Sequence, residues 1–108
     1  MDLDEVVRRA VTPVVPVCLP ERYDGEAREY CVFTIDERGG AFGDDAADCL
    51  RCELTLHWYL PRGTDPNSRK RGIRRALQTA GFTCPTVTDA SDEDGGHFVF
   101  ECQIEGGA

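Results

Sequence analysis

From Leu50 to Leu60 the chain alternates without interruption. Leu50, Cys52, Leu54, Leu56, Trp58 and Leu60 are apolar, and Arg51, Glu53, Thr55 and His57 between them are polar. A period of two over that length belongs to a half-buried strand in an antiparallel sheet, with one face on a core and the other turned away from it. At ~3.3 Å per residue such a strand runs roughly 36 Å. That is long for a chain of 108 residues, so the strand is able to project past the core.

The remaining segments can be ordered around this strand. Asp2 to Ala10 reads as a short amphipathic helix with Asp2 as N-cap, Glu5 three residues on as in a capping box, and Leu3, Val6, Val7 and Ala10 on one face. Pro13, Pro16 and Pro20 exclude a continuing helix, and Val14 to Leu19 is expected as an edge strand between them. Tyr30 to Asp36 is rich in aromatic and β-branched residues and reads as a strand. Residues 37–48, with three glycines and four acids, read as a turn or long hairpin tip. After Pro61 and Gly63, Asp65 caps a helix that starts at Pro66, buries Ile73, Ala76, Leu77 and Ala80, and stops at Gly81, with Phe82 folding over the end. A short strand begins at Val87. An acidic loop precedes a last strand, His97 to Ile104, with Phe98, Phe100, Cys102 and Ile104 inward. The order predicts one α+β domain over residues 1–108, a small antiparallel sheet of about four strands with two helices packed on it.

Charge divides the chain. Its net charge is −8, yet residues 65–82 carry five basic residues against Asp65, leaving −12 on the remainder. An acidic body repels nucleic acid at long range. Arg71, Arg74 and Arg75 share a helix face through i+3 and i+4 spacing, and no aromatic stacking residue lies among them. Arginine is the better cation for pairing with interface carboxylates, because its fork binds them bidentately. A protein partner is therefore expected over nucleic acid. No apolar run is long enough to span a membrane, and the acidic start, Met1-Asp2-Leu3-Asp4-Glu5, is unlike a signal peptide, which points to synthesis in the cytoplasm.

Material for catalysis is thin. Cys49 and Cys52 have Cys-x-x-Cys spacing, but the pair opens a strand, where positions three apart point to opposite faces, and no second pair of ligands accompanies it. Cys52 and Cys102 fall at the apolar phase of their strands, as core residues would. His57 and His97 fall at the polar phase. Ser68 and Ser91, the only serines, sit in a helix turn and an acidic loop. Asp44-Asp45 and Asp92-Glu93-Asp94 lack calcium-loop spacing. No catalytic, cofactor-binding or metal site is expected.

The chain resembles the small tail-terminator or tail-completion proteins of long-tailed bacteriophages and prophages. The likeness is carried by Pro16-Val17-Cys18-Leu19-Pro20 after a short helix, the aromatic strand from Tyr30 to Asp36, and the alternating strand Leu54 to Tyr59. It continues in the helix ending Leu77-Gln78-Thr79-Ala80-Gly81-Phe82, and in an acidic turn running into His97-Phe98-Val99-Phe100-Glu101. The resemblance implies a virion structural protein, and no enzyme. Copies would form a ring, usually of six, on the head-proximal end of the tail tube, stop its growth and present a surface to the head connector. Its expected partners are further copies of itself, the tail tube protein and the head–tail connector protein, with no membrane and no specific nucleic acid. Its expected location is the virion, after synthesis in the host cytoplasm.

Both lines converge on an interface. Head-to-tail contact between unlike surfaces closes rings. Arg71, Arg74 and Arg75 are expected on one surface, and Asp44, Asp45, Asp92, Glu93 and Asp94 on the other. The competing expectation is a small metal- or nucleic-acid-binding regulatory protein that uses the cysteines and the basic helix.

Overall fold

The computed structural model describes residues 2–38 and 51–105. Its elements are α1 (Leu3–Val11), β1 (Cys18–Pro20), β2 (Tyr30–Arg38), β3 (Arg51–Pro61), α2 (Asn67–Thr79), β4 (Thr86–Asp89) and β5 (Gly95–Glu105). The expected α+β architecture is present. The strands form one five-stranded sheet in the order β1-β2-β3-β5-β4. Every pairing is antiparallel except that of β1, which runs parallel to β2, so the sheet is mixed. The expected edge strand shrinks to three residues, because Val14 and Val15 turn back onto the end of α1 through N–H bonds to the Val11 carbonyl. β2 runs on through Glu37 and Arg38, two residues into the turn expected over residues 37–48, and residues 39–50, with Asp44, Asp45 and Cys49, lie outside the described residues.

The central strand β3 keeps the alternation that singled it out. Its apolar positions Cys52, Leu54, Leu56, Trp58 and Leu60 are buried and the intervening ones are not. Opposite them in register stand Phe33 on β2 and Phe98, Phe100 and Cys102 on β5. Val7 and Val11 of α1, Val15, and Ile73 and Leu77 of α2 join the same cluster. Both helices thus cover one face of the sheet. The face of α1 is centred one turn later than the sequence implied, on Val7 and Val11, since the helix continues past Ala10.

The caps are local chemistry with small departures. Asp2 accepts from the Asp4 N–H, but Glu5 turns to Arg9 (3.2 Å) and leaves the capping box half made. Asp65 accepts from the Asn67 N–H at 3.0 Å from one position outside the helix start, with Pro66 as the cap residue. At the far end Gly81 takes φ +109°. Its N–H then reaches Gln78 O and that of Phe82 reaches Leu77 O, both at 3.0 Å, closing carbonyls the helix leaves free. A Cβ at Gly81 would sit 3.2 Å from Ile104 Cδ1 in a backbone region that side chains avoid. Gly81→Ala is therefore expected to cost about 1–2 kcal/mol, read as a lowered denaturant midpoint at unchanged slope.

Candidate interaction surface

With both helices on one face, no helix of the described residues covers the other. Antiparallel register sets out that open face in rows. Tyr30, Tyr59 and His97 stand side by side on β2, β3 and β5. The next row is Leu19, Val32, His57, Val99 and Thr88 across all five strands. Beyond it come Thr34, Thr55, Glu101 and Thr86.

The first two rows hold a continuous run of rings. Centroids are 4.8 Å apart from Tyr23 to Tyr30, 4.9 Å from Tyr30 to Tyr59, 4.2 Å from Tyr59 to His97 and 5.1 Å from His97 to His57. An open groove of about 590 Å³ runs beside the Tyr30–Tyr59–His97 end, with Arg28, Arg62 and Asp92 on its walls. Tyr23, in the loop before β2, is fixed by its hydroxyl, which accepts from the Ala27 N–H at 2.8 Å.

The two histidines, placed at the polar phase by sequence, meet here. His57 Nδ1 lies 2.9 Å from His97 Nε2. One N–H donates to the other ring's lone pair, so the pair holds a hydrogen bond only while at least one ring is neutral. Desolvation, then the neighbouring His57, push the His97 pKa below its ordinary 6.5, with Asp92 opposing. The unfolded chain therefore takes up this proton first, and stability falls as pH drops through 6.5. Asp89, held low chiefly by its hydrogen bonds from Ser91, loses its contribution only below its ordinary 3.8, in a separate window. A melting series should show the melting temperature falling between pH 7.5 and 5.5, and His97→Gln should flatten that slope.

The charged residues expected at an interface are distributed as follows. Arg71, Arg74 and Arg75 are all exposed on the outer side of α2, away from Ile73 and Leu77. Arg74 leans on Cys84, Nη2 to Sγ 3.5 Å. Arg71 and Arg75 make no ion pair among the described residues. Asp92, Glu93 and Asp94 are exposed in the turn between β4 and β5. That turn is shaped by the Asp92–Gly95 bridge and by the Asp94 N–H donating to Asp92 Oδ1 at 2.9 Å. Arg62 approaches the turn through the Glu93 carbonyl, not a carboxylate. The arginines of α2 and this acidic turn are not paired within the chain.

Cys52 and Cys102 are buried in the core, as their phase implied. Among the described residues no cluster of three or more metal-ligating side chains occurs, and no helix is long and apolar enough to cross a membrane. Sequence reasoning missed the ring run, because a row across three strands exists only once the register is set. It also missed Glu29, which accepts from Trp58 Nε1 at 3.0 Å and from Arg69, tying the loop before β2 to the start of α2. Comparison with protein-family models and with curated proteins returns no match to this chain.

Proposed function

We propose that the chain is an assembly protein that works by binding its own copies, as a tail terminator or tail-completion protein does. It would form a ring at the head-proximal end of a phage tail tube, end the tube's growth and join it to the head connector. The observation that carries this reading is the pair of oppositely charged surfaces that do not pair with each other. Arg71 and Arg75 stand exposed on α2, and Asp92, Glu93 and Asp94 stand exposed on the β4–β5 turn, with no ion pair between them. Two complementary patches at different places on one chain favour head-to-tail contact, and such contacts make closed rings when the rotation closes. The uncovered sheet face, with its tyrosines and histidines, offers a second contact area of the amphipathic kind that interfaces favour.

A run of neighbouring rings on an open sheet is also a platform on which nucleobases can stack. Here the surrounding charge opposes it. Arg28 and Arg62 beside the rings are matched by Asp92 and Asp94, Glu101 and Asp36 are exposed on the same face, and the whole chain carries −8. Backbone phosphates need a basic field, so protein contact is the better reading.

The test is the native mass of the purified chain over a concentration and salt series, alone and with the tube protein encoded beside it. The reading predicts rings, free or on tube ends, that weaken as salt rises. A chain that stays monomeric throughout and never decorates tube ends would overturn it. Stoichiometric zinc, or binding to DNA that falls steeply with salt, would favour a regulatory protein instead.

A further inference from the structure

Two thiols face each other where the parallel edge strand joins the sheet. Cys18 of β1 and Cys31 of β2 are direct register partners. Both point into the core, at 2% and 0% exposure. The Cys31 N–H bonds the Val17 carbonyl at 2.8 Å, so the ladder itself holds the two residues abreast. Adjacent strands lie ~4.8 Å apart, within the Cα separation that a disulfide spans. The other buried thiols differ. Cys52 stands opposite Ile104 and Cys102 opposite Leu54, so those two are offset, and Cys84 is exposed beside Arg74.

We propose that Cys18 and Cys31 are a disulfide site that fastens the edge strand β1 to the sheet when the protein passes from a reducing to an oxidising environment. The setting, though not the bond, rests on the reading of the chain as a particle component: made among reduced thiols, then released outside the cell. The strand to be fastened is the shortest in the sheet and lies at its edge. It has three residues, ends in Pro20 and is preceded by Pro16. Beyond those residues its pairing continues only through the Val17 carbonyl before it and Glu21 after it, whose N–H reaches Phe33 O at 2.8 Å and whose φ of +68° turns the chain away.

The chemistry is a two-step exchange with a low-molecular-weight disulfide such as oxidised glutathione. The Cys18 thiolate attacks one glutathione sulfur, forming a mixed disulfide and releasing one glutathione thiolate. The Cys31 thiolate then attacks the Cys18 sulfur, closing the bond and releasing the second. Two thiols are oxidised, one disulfide is reduced, and the two thiol protons pass to the two glutathiones. In the closed sheet this is slow. Hydrogen bonding to the Cys18 thiol, then burial, push the Cys31 pKa up and keep it protonated. Reaction therefore waits for β1 to open, and Cys18 on the edge reacts first.

The experiment uses the full chain with excess oxidised glutathione, followed by blocking of free thiols, trypsin digestion and mass spectrometry. Cleavage at Arg9, Arg22, Arg28 and Arg38 places Cys18 in the peptide 10–22 and Cys31 in the peptide 29–38, each with no other cysteine. The expected product joins those two peptides. It forms faster in mild denaturant, and the joined chain melts roughly 10 °C higher than the reduced one, because the bond closes a loop in the unfolded state. In Cys31→Ser that rise disappears and Cys18 stops at the glutathione adduct. The proposal is overturned if both thiols stay free, even in mild denaturant, while Cys84 is fully modified. It is equally overturned if the joined chain melts below the reduced one. Native mass on the same sample keeps the readings apart: joined peptides in a chain that never forms rings support this site and count only against the assembly role.

Discussion

Reversing two charges, Arg71→Glu with Arg75→Glu, should yield a folded chain that no longer assembles. Both side chains are exposed, on the side of α2 opposite Ile73 and Leu77, and neither has an ion pair among the described residues. Their loss therefore removes nothing from the fold. Glutamate is as good a helix former as arginine, and the i,i+4 repulsion between these two positions, already present between the arginines, only changes sign. The melting temperature should move by no more than about 2 °C. Between copies the effect is of another size. An attraction to the Asp92–Glu93–Asp94 turn becomes a like-charge contact, which costs several kcal/mol at an interface. The concentration needed for assembly should rise at least ~100-fold. Arg74 is the less informative of the three, since its guanidinium already touches Cys84. Assembly of the double variant at the wild-type concentration would remove α2 from the interface.

Trp58→Ala should produce the largest loss of stability of any single change in the sheet. The indole is fully buried between Phe98 and Phe100, with centroids at 5.5 and 6.4 Å. Its Nε1–H donates to Glu29, whose other oxygen accepts from Arg69. Truncation opens a cavity in the middle of the core and removes the bond that anchors Glu29, in the loop before β2, to β3, leaving that carboxylate only its pair with Arg69. Such changes cost about 3–5 kcal/mol, a large fraction of the stability of a domain this size, and the melting temperature should fall by roughly 15 °C or more. Trp58→Phe separates the two contributions. It keeps most of the apolar volume and loses the N–H, so the cost should be nearer 1–2 kcal/mol. Equal losses in the two variants would mean that the Glu29 bond, not the buried volume, holds this region.

Much of this architecture could be read from the chain because its strongest signals are local and periodic. The even positions of β3 announced their own burial, and Cys52 and Cys102 could be assigned to the core from phase alone. The end of α2 at Gly81 and Phe82 was legible because a left-handed residue followed by an apolar one is a chemical stop signal. What escaped depends on pairing between distant segments. Nothing local says that Cys18-Leu19-Pro20 runs parallel to β2. Neither the Cys18–Cys31 pair nor the length of β1 was therefore visible. The 2.9 Å approach of His57 to His97 needs the β3–β5 register, as does the row from Tyr30 through Tyr59 to His97. The charged patches were legible as composition, but their remaining apart within one chain is a fact of three dimensions, and it is what turns a charge pattern into a proposed interface.

The most direct test of head-to-tail charge pairing is a mixing experiment read by native mass. One variant carries Arg71→Glu and Arg75→Glu, and the other carries Asp92→Arg and Asp94→Arg. Alone, each presents like charges at every junction and should remain monomeric under conditions where the wild type forms rings. Mixed in equal amounts, the glutamate helix of the first meets the arginine turn of the second, and the second's native helix meets the first's native turn. Rings are then expected to return with an even number of subunits, the two variants alternating. Rings from either variant alone, or a mixture that stays monomeric where the wild type assembles, would contradict head-to-tail charge pairing.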